Sequence, residues 1–427
     1  MHGRRKLGPV LATAIVAGNM IGSGVFLLPA TLAPVGGISL IGWLFASAGA
    51  LVLALLFGRL ARRHPFAGGP ASYVHAALGP FAGFQASLCY WVACLIGNVA
   101  IATAAAGCLA ALVPGAESSV QIAGASVLLL WAIAGINLVS PRLVAQIDGL
   151  LLIAGIVPLL LIGSAGWLLF DPALYLAEWN PSGRTLLEAI PSSLVLVFWA
   201  FTGMESACVA AALVENPQRN IPLATLAGVG IAAAIYISAS TVIVGIVPAR
   251  ELAASSAPFA LAADRALGRG AGPLIAAAAM LKALGTLAGW VLLTAQVSQA
   301  AAERGQLPRA LARLRSGDTP ALGLLVAACI GTAAVALTVS PTLGKQFGVL
   351  IEASTLFALL TYAAACLAAL RRGKPLDIAL AGVGAAFCAV VIAGSSATVL
   401  WATGAGVVSI ALAWGLAAPR IERTLQE

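Results

Sequence analysis

Apolar stretches of about 18 or more residues recur along the whole of this 427-residue chain. Each is long enough to cross a hydrocarbon core of about 30 Å as a helix. Charged residues make up only 9% of the sequence, against about 25% in an average soluble domain, so the chain could not cover its own surface in water. These features predict an all-α integral membrane protein without a separate soluble domain.

Proline, glycine and clustered charges divide the apolar sequence into twelve predicted membrane-spanning helices. The predicted spans are 9–32, 37–60, 80–112, 119–139, 144–170, 187–213, 221–247, 272–302, 320–339, 346–370, 376–396 and 399–418. With this division, most of the 23 Lys and Arg residues fall on one side of the membrane, together with both chain ends. Because cytoplasmic loops carry the excess of positive charge, both termini are predicted to lie in the cytoplasm.

Two of these spans contain a break. Gly22-Ser23-Gly24 interrupts the first span, and residues 201–205 (FTGME) interrupt the sixth. Backbone groups cannot be left unpaired in hydrocarbon, so a broken helix must be buried or line a cavity. Its exposed N–H and C=O groups can bind a carboxylate and an ammonium, the two charged groups of an amino acid. Close helix packing is the alternative reason for the glycines, but matched breaks in two halves of a chain favour a transporter's substrate site.

The spacing of the breaks also predicts an internal repeat. Spans one and six each begin a group of five, and an odd number of spans makes the second group enter the membrane from the opposite side. The expected division is a first five-helix repeat in residues 1–170, a second in 171–371, and two accessory spans in 372–427. The predicted fold class is an all-α membrane protein of twelve helices, with a 5+5 inverted repeat and broken helices 1 and 6.

Glu205 is the most informative single residue. It follows the second break and lies inside a span, where ionisable residues are rare and functional by default. Its carboxylate can neutralise a cationic substrate or titrate, and a structural acid bonded to a neighbouring helix is the alternative. Other aromatic or polar residues within spans are candidates to line the same site: Tyr90, Asn98, Trp199, Trp290 and Tyr362. A Trp face attracts a cation by about 0.5–2 kcal/mol, although packing alone also explains any one of these aromatic residues.

Several motifs resemble the amino acid/polyamine/organocation (APC) transporter superfamily, and within it the basic amino acid/polyamine antiporter group. They are residues 18–29 (GNMIGSGVFLLP), 90–98 (YWVACLIGN), 205–207 (ESA), 216–222 (NPQRNIP), 289–290 (GW) and 345–348 (KQFG), with Tyr362. The similarity is greatest to the arginine/agmatine exchangers of that group and covers nearly the whole core. It implies a fold like that of the leucine transporter, alternating access, a bacterial inner-membrane location and, as in some relatives, a homodimer.

The resemblance also carries residue roles onto this chain. The residues that would bind the substrate or close over it are Met20, Ser23, Gly24, Ala93, Cys94, Asn98, Trp199, Thr202, Trp290 and Ser354. The substrate's carboxylate would meet the first break, its α-amino group the backbone of both breaks, and a guanidinium would stack on Trp199. Trp290 would form a middle gate, and Glu205, Tyr90 and Tyr362 an inner gate.

Three charged residues depart from the family pattern. Lys282 lies in the eighth span and Glu352 in the tenth, where small residues are expected, and Asp148 lies near the cytoplasmic end of the fifth. Lys282 and Glu352 could neutralise one another as a buried pair, or take part in gating and coupling. Since a fixed ammonium would disfavour a dicationic substrate, proton-coupled transport or export of neutral amino acids is the alternative function.

Signals for other functions are few. The seven cysteines fall within spans, without the spacing of a disulfide framework or a metal site. The net charge of +8 is spread over short loops, which disfavours a nucleic-acid partner. No P-loop, cofactor motif or catalytic dyad is recognised, so the chain is not expected to be an enzyme. With the resemblance, the expected function is exchange of a cationic, arginine-like amino acid for its decarboxylated amine.

Overall fold

The structure is a computed structural model that describes residues 8–22, 25–63, 70–140, 151, 155–205, 214–268, 270–315 and 319–426. Within these ranges the regular elements are helices, and an isolated β-bridge joins Arg315 and Thr319. A helix satisfies its own backbone hydrogen bonds, which is what a segment in hydrocarbon requires. For this part of the chain, the prediction of an all-helical protein is confirmed.

The α-helices are numbered in chain order. Their bounds are α1 Pro9–Met20, α2 Leu28–Leu32, α3 Ser39–Arg63, α4 Pro70–Leu78, α5 Pro80–Leu112, α6 Ser119–Val139, α7 Gly155–Leu169, α8 Pro172–Ala177, α9 Leu186–Phe198, α10 Pro217–Val244, α11 Ala249–Ala254, α12 Pro258–Leu267, α13 Ala271–Glu303, α14 Ala321–Thr338, α15 Leu343–Arg372, α16 Pro375–Ala393 and α17 Ala397–Gln426. Nine of these described helices (α3, α5, α6, α10 and α13 to α17) are long and apolar enough to cross a membrane. The chain is therefore a multi-pass membrane protein.

The first predicted span is bent at its predicted break. α1 ends at Met20, a short 3-10 turn leads into α2, and the two halves lie at 45° to one another. Two more predicted spans match the shorter apolar helices α7 and α9. The rest of those two spans, with Asp148, falls in 141–150, 152–154 and 206–213, outside the described residues. The total of twelve spans and the internal repeat therefore stay predictions.

α5 lies at the centre of the packed helices. It contacts α13 and α15 along much of its length, and most of its residues are buried. Its second half is rich in Ala and Gly, which lets neighbouring backbones approach closely. α3 and α10 form a second packed pair, which α1 and α9 join. The two broken segments thus lie between this pair and the central helices, while α17 is mostly exposed on the outside.

Candidate functional site

The two breaks lie next to each other. A Cβ atom placed on Gly203 would lie 3.6 Å from both Cβ and the carbonyl oxygen of Asn19, in the last turn of α1. The same atom would lie 3.1 Å from Cζ2 of Trp290 on α13. Gly203 has a φ of +97°, a left-handed conformation that glycine adopts without steric cost. The end of α1 and the turn that follows α9 therefore lie together beside α13.

Local hydrogen bonds end the helix at the second break. After α9, the 3-10 turn Trp199–Phe201 is followed by Thr202 in an extended conformation, with ψ of 139°. The backbone N–H and the hydroxyl of Thr202 both donate to the carbonyl of Trp199, at 3.0 and 2.7 Å. These bonds satisfy a carbonyl at the helix end, and the extended residue turns the chain so that Glu205 is buried.

A central cavity of about 340 Å³ lies beside the breaks. Its walls come from α5, α13, α15 and the segment that follows α9. The lining residues are Tyr90, Ala93, Cys94, Gly97, Ile101, Trp199, Thr202, Glu205, Trp290, Ser354, Ala358 and Tyr362. Most of the residues that the sequence singled out are thus brought together around one space.

The carboxylate of Glu205 is held by two phenols. Tyr90 on α5 donates to Oε1 and Tyr362 on α15 donates to Oε2, each at 2.7 Å. Hydrogen bonds to a charged group contribute about 1.5–3 kcal/mol, more than bonds between neutral groups. The ring of Tyr362 is itself fixed by an edge-on contact with Phe57, at 5.2 Å between ring centroids. Glu205 therefore presents a positioned negative charge in a buried cavity.

The indole of Trp199 forms a flat wall of the cavity and is 3% exposed. It fits because residue 97 on α5 is glycine: a Cβ there would lie 2.9 Å from Cη2 of Trp199 and 3.3 Å from the hydroxyl of Ser354. Ser354 in turn donates to the carbonyl of Ala93 at 2.7 Å, which joins α15 to α5. The position of the Trp199 ring is therefore set by three elements: the segment that follows α9, α5 and α15.

Two buried polar atoms in this region have no hydrogen-bond partner among the described residues. They are Nε1 of Trp290, a donor, and Oδ1 of Asn98, an acceptor. The amide nitrogen of Asn98 is occupied, since it donates to the hydroxyl of Thr294 at 2.9 Å. Buried polar groups without partners cost about 1–3 kcal/mol each, so a bound ligand that supplied partners would be favoured.

Of the predicted binding residues that the structure describes, Met20 and Asn98 do not line the cavity. Met20 is fully buried at the end of α1, and Asn98 lies one residue beyond the lining position Gly97. Ser23 and Gly24, the predicted carboxylate site, lie outside the described residues. The binding and gating roles assigned to all the predicted site residues stay predictions.

Lys282 approaches the first break from α13. Its ammonium donates to the hydroxyl of Thr286 at 2.7 Å, and the side chain is 1% exposed. A Cβ on Gly22 would lie 2.9 Å from Nζ of Lys282, and one on Gly155 would lie 2.0 Å from its Cβ and Cγ. Two glycines, in the first break and in α7, therefore make room for the lysine beside the end of α1.

The suggested pair between Lys282 and Glu352 is a wrong prediction. The described residues include both side chains, and they form no ion pair with each other. The carboxylate of Glu352 instead accepts a hydrogen bond from the backbone N–H of Ser396, directly before α17. A carboxylate at a helix N-terminus is favoured by the helix dipole. Glu352 thus fixes the start of α17, and it lies outside the central cavity.

Sequence reasoning missed three lining residues: Gly97, Ile101 and Ala358. All are small or apolar, in helices full of such residues, so their types give no signal. Their spacing does. Gly97 and Ile101 follow Ala93 by four and eight residues, and Ala358 lies four residues from both Ser354 and Tyr362. Residues four apart share a helix face, so the predicted residues could have identified the others.

Tyr90 separates the central cavity from a second one. It lines both the central space and a cavity of about 740 Å³ that extends to Gln296 and Arg304 near the end of α13. The charge distribution predicts that this end faces the cytoplasm. The bond from Tyr90 to Glu205 therefore lies between the two cavities.

Comparison with known proteins identifies the family. The sequence profile of the amino acid permease family matches residues 7–374, most of the chain. The chain belongs to the amino acid permease family. This permease is 36% identical to the cadaverine/lysine antiporter of Escherichia coli strain K12 over 406 residues, covering 93% of this chain and 91% of that one. It is 37% identical to the putrescine transporter PotE of the same strain over 357 residues, covering 84% and 81%.

A third relative, the putrescine transporter PotE of Haemophilus influenzae, is 36% identical over 357 residues, covering 84% of the permease and 82% of the relative. These matches confirm the resemblance to the basic amino acid/polyamine antiporter group of the APC superfamily. They also place the permease among transporters rather than enzymes. The similarity to its arginine/agmatine branch stays a prediction.

Proposed function

We propose that this permease exchanges a cationic amino acid for its decarboxylated amine by alternating access around the central cavity. The main observation behind this proposal is Glu205, the only acidic residue among the described residues that line the cavity. Two unit charges 4 Å apart interact by about 4 kcal/mol at an effective dielectric constant of 20, so a cationic substrate is strongly favoured there. The names of the relatives, which include lysine, cadaverine and putrescine, support the same chemistry.

One site can serve both substrates because they share the distal cation. That cation would lie between the carboxylate of Glu205 and the face of Trp199, where cation–π attraction adds about 0.5–2 kcal/mol. The amino acid also has an α-carboxylate, which the N–H groups at the first break would bind, and the amine lacks it. A guanidinium suits the indole face best, so an arginine-like substrate is the first choice, with lysine and ornithine as competitors.

Exchange follows if the empty cavity reorients poorly. In the closed state, Tyr90 and Tyr362 both donate to Glu205. A substrate cation that takes over part of the carboxylate's interactions would weaken this clamp and free Tyr90 to open the path toward the second cavity. Binding then drives the change because the ligand contacts differ between the two states.

The fold that we propose for this transport cycle has twelve membrane spans. A five-helix repeat lies in residues 1–170, its inverted copy in 171–371, and two accessory spans in 372–427. Both termini would lie in the cytoplasm of a bacterial cell, with the chain in the inner membrane and two copies forming a homodimer. The adjacent ends of α1 and α9 support the repeat, because the first and sixth spans are the equivalent members of the two halves.

Counterflow in proteoliposomes tests the exchange. Vesicles loaded with agmatine, cadaverine or putrescine should take up labelled arginine, lysine or ornithine, and empty vesicles should take up little. The preferred pair then identifies the substrate. Equal uptake by loaded and empty vesicles would contradict exchange, and failure of every cationic pair to compete would contradict the substrate class.

Lys282 favours one second candidate, proton-coupled transport of neutral amino acids. Its buried ammonium near the end of α1 adds positive charge close to the substrate site, which disfavours a doubly charged cation. A pH gradient across vesicles without internal substrate separates the two functions. Only a proton-coupled carrier would accumulate a neutral amino acid such as leucine under that condition.

A further inference from the structure

Another cavity, lined by polar residues, lies at the ends of three helices. It is distinct from both the central cavity and the cavity beyond Tyr90. Its volume is about 630 Å³. Arg59 and Arg62 line it from the last turns of α3, Gln218 from the first turn of α10, and Lys374 from the position directly before α16. The distribution of positive charge predicts that these helix ends face the cytoplasm.

One of the three cations is already neutralised. The Nε of Arg59 donates to Oδ1 of Asp377 at 2.5 Å, and the Asp377 side chain is fully buried. The other oxygen of Asp377 accepts from the backbone N–H of Lys374 at 3.1 Å. Asp377 thus caps the N-terminus of α16 and holds Arg59 against the cavity wall.

The side chains of Arg62 and Lys374 carry two more positive charges into the same space. Both are exposed, and neither side chain forms an ion pair with any residue in the part of the chain that the structure describes. α10 also begins at this cavity, and the N-terminus of a long helix carries partial positive charge. Like charges that face one cavity repel each other, so an anion bound between them would be stabilised.

We propose that this cavity binds a phosphate-bearing anion, with Arg62 and Lys374 as its charged ligands and Arg59 as a fixed wall. The planar fork of arginine suits two oxygens of one phosphate group. The site lies where α3 ends, and the distribution of positive charge predicts that this end faces the headgroups of the cytoplasmic leaflet. The phosphate of an anionic lipid and a free phosphate from the cytoplasm share this chemistry. Bound there, either would join α3, α10 and α16.

Thermal unfolding of the detergent-purified permease tests the site. Melting temperature is measured against added phosphatidylglycerol, phosphatidylcholine and inorganic phosphate, for wild type, the single variant R62Q and the double variant R62Q/K374Q. A matched control, R313Q/R315Q, removes two exposed arginines from the same predicted side without touching the cavity. Retention of phosphatidylglycerol in native mass spectrometry provides a second measurement that does not depend on unfolding.

We expect phosphatidylglycerol to stabilise the wild type and the control more than phosphatidylcholine does. In R62Q/K374Q its apparent affinity should fall about tenfold or more, with an intermediate loss in R62Q, since each basic residue near the membrane surface contributes to anion attraction. If inorganic phosphate reproduces the effect, the anion is free phosphate and the proposal holds. Equal stabilisation of wild type and double variant, or no stabilisation of the wild type by either phosphate, would overturn it. The result is independent of what the central cavity transports.

Discussion

The hydroxyl of Tyr362 lies 2.7 Å from Oε2 of Glu205, although 157 residues separate the two in the chain. Tyr90 donates to the other carboxylate oxygen from a third segment, α5. The clamp therefore connects the segment after the second break to both central helices. A movement of any one of these three segments relative to the others must change a hydrogen bond to the same carboxylate.

Replacing Glu205 by Gln should weaken binding of cationic substrates. The amide keeps the size of the side chain but removes the charge, so the apparent affinity for arginine or lysine should fall at least about tenfold. Competition of unlabelled substrate against labelled uptake measures the change. Glu117→Gln, at an exposed position outside the cavity, is the matched control. An unchanged affinity in Glu205→Gln would contradict the charge-recognition role.

Replacing Trp199 by Leu should selectively weaken a guanidinium substrate. Loss of cation–π attraction of about 0.5–2 kcal/mol corresponds to an affinity lower by about two- to thirtyfold. Trp401→Leu removes an indole from the exposed outer face of α17 and should leave affinity unchanged. The stacking role would be rejected if the two variants bound arginine equally well.

Replacing Gly97 by Ala should displace the ring of Trp199. The added Cβ would lie 2.9 Å from Cη2 of that ring, closer than van der Waals contact, so the ring or α5 must shift. We expect reduced substrate affinity in protein that still purifies as a folded species. Gly124→Ala on α6 adds the same atom where nothing lies within 4 Å. Wild-type affinity in Gly97→Ala would show that the ring position is not critical.

Replacing Glu352 by Ala should lower stability without changing substrate preference. The backbone N–H of Ser396 would lose its acceptor, and a hydrogen bond to a charged group contributes about 1.5–3 kcal/mol. Glu352→Gln retains an oxygen acceptor, so its melting temperature should fall less. Both variants should keep the wild-type dependence of transport on pH. A shifted pH dependence in Glu352→Gln would instead support the predicted coupling role.

The sequence draws attention to the residues at the centre of the candidate site, because they break rules that hold elsewhere in a membrane span. Glu205 is a charge within hydrocarbon, and the glycines at the two breaks interrupt otherwise continuous apolar helices. Such exceptions stand out against a uniform background. Gly97 and Ala358 do not, since they are small residues in helices made largely of small residues, and only the register set by their neighbours reveals them.

Partners across distant helices could not be predicted in the same way. The sequence shows that Lys282 and Glu352 are both buried charges, and neutralisation by one another was a reasonable hypothesis. Their partners depend on which helix faces which. Glu352 faces the start of α17, whereas Lys282 faces the end of α1, through space left by two glycines. Nothing in the local pattern of either helix specifies these neighbours.

The single carboxylate among the described residues of the central cavity has a consequence for kinetics. One negative charge provides one place for a substrate cation, so the inbound and outbound molecules must take turns. A substrate molecule that is not released prevents the next molecule from binding. The turnover rate then depends on substrate release as much as on substrate binding. Raising the substrate concentration on one side of the membrane does not speed up a carrier whose empty site faces the other side.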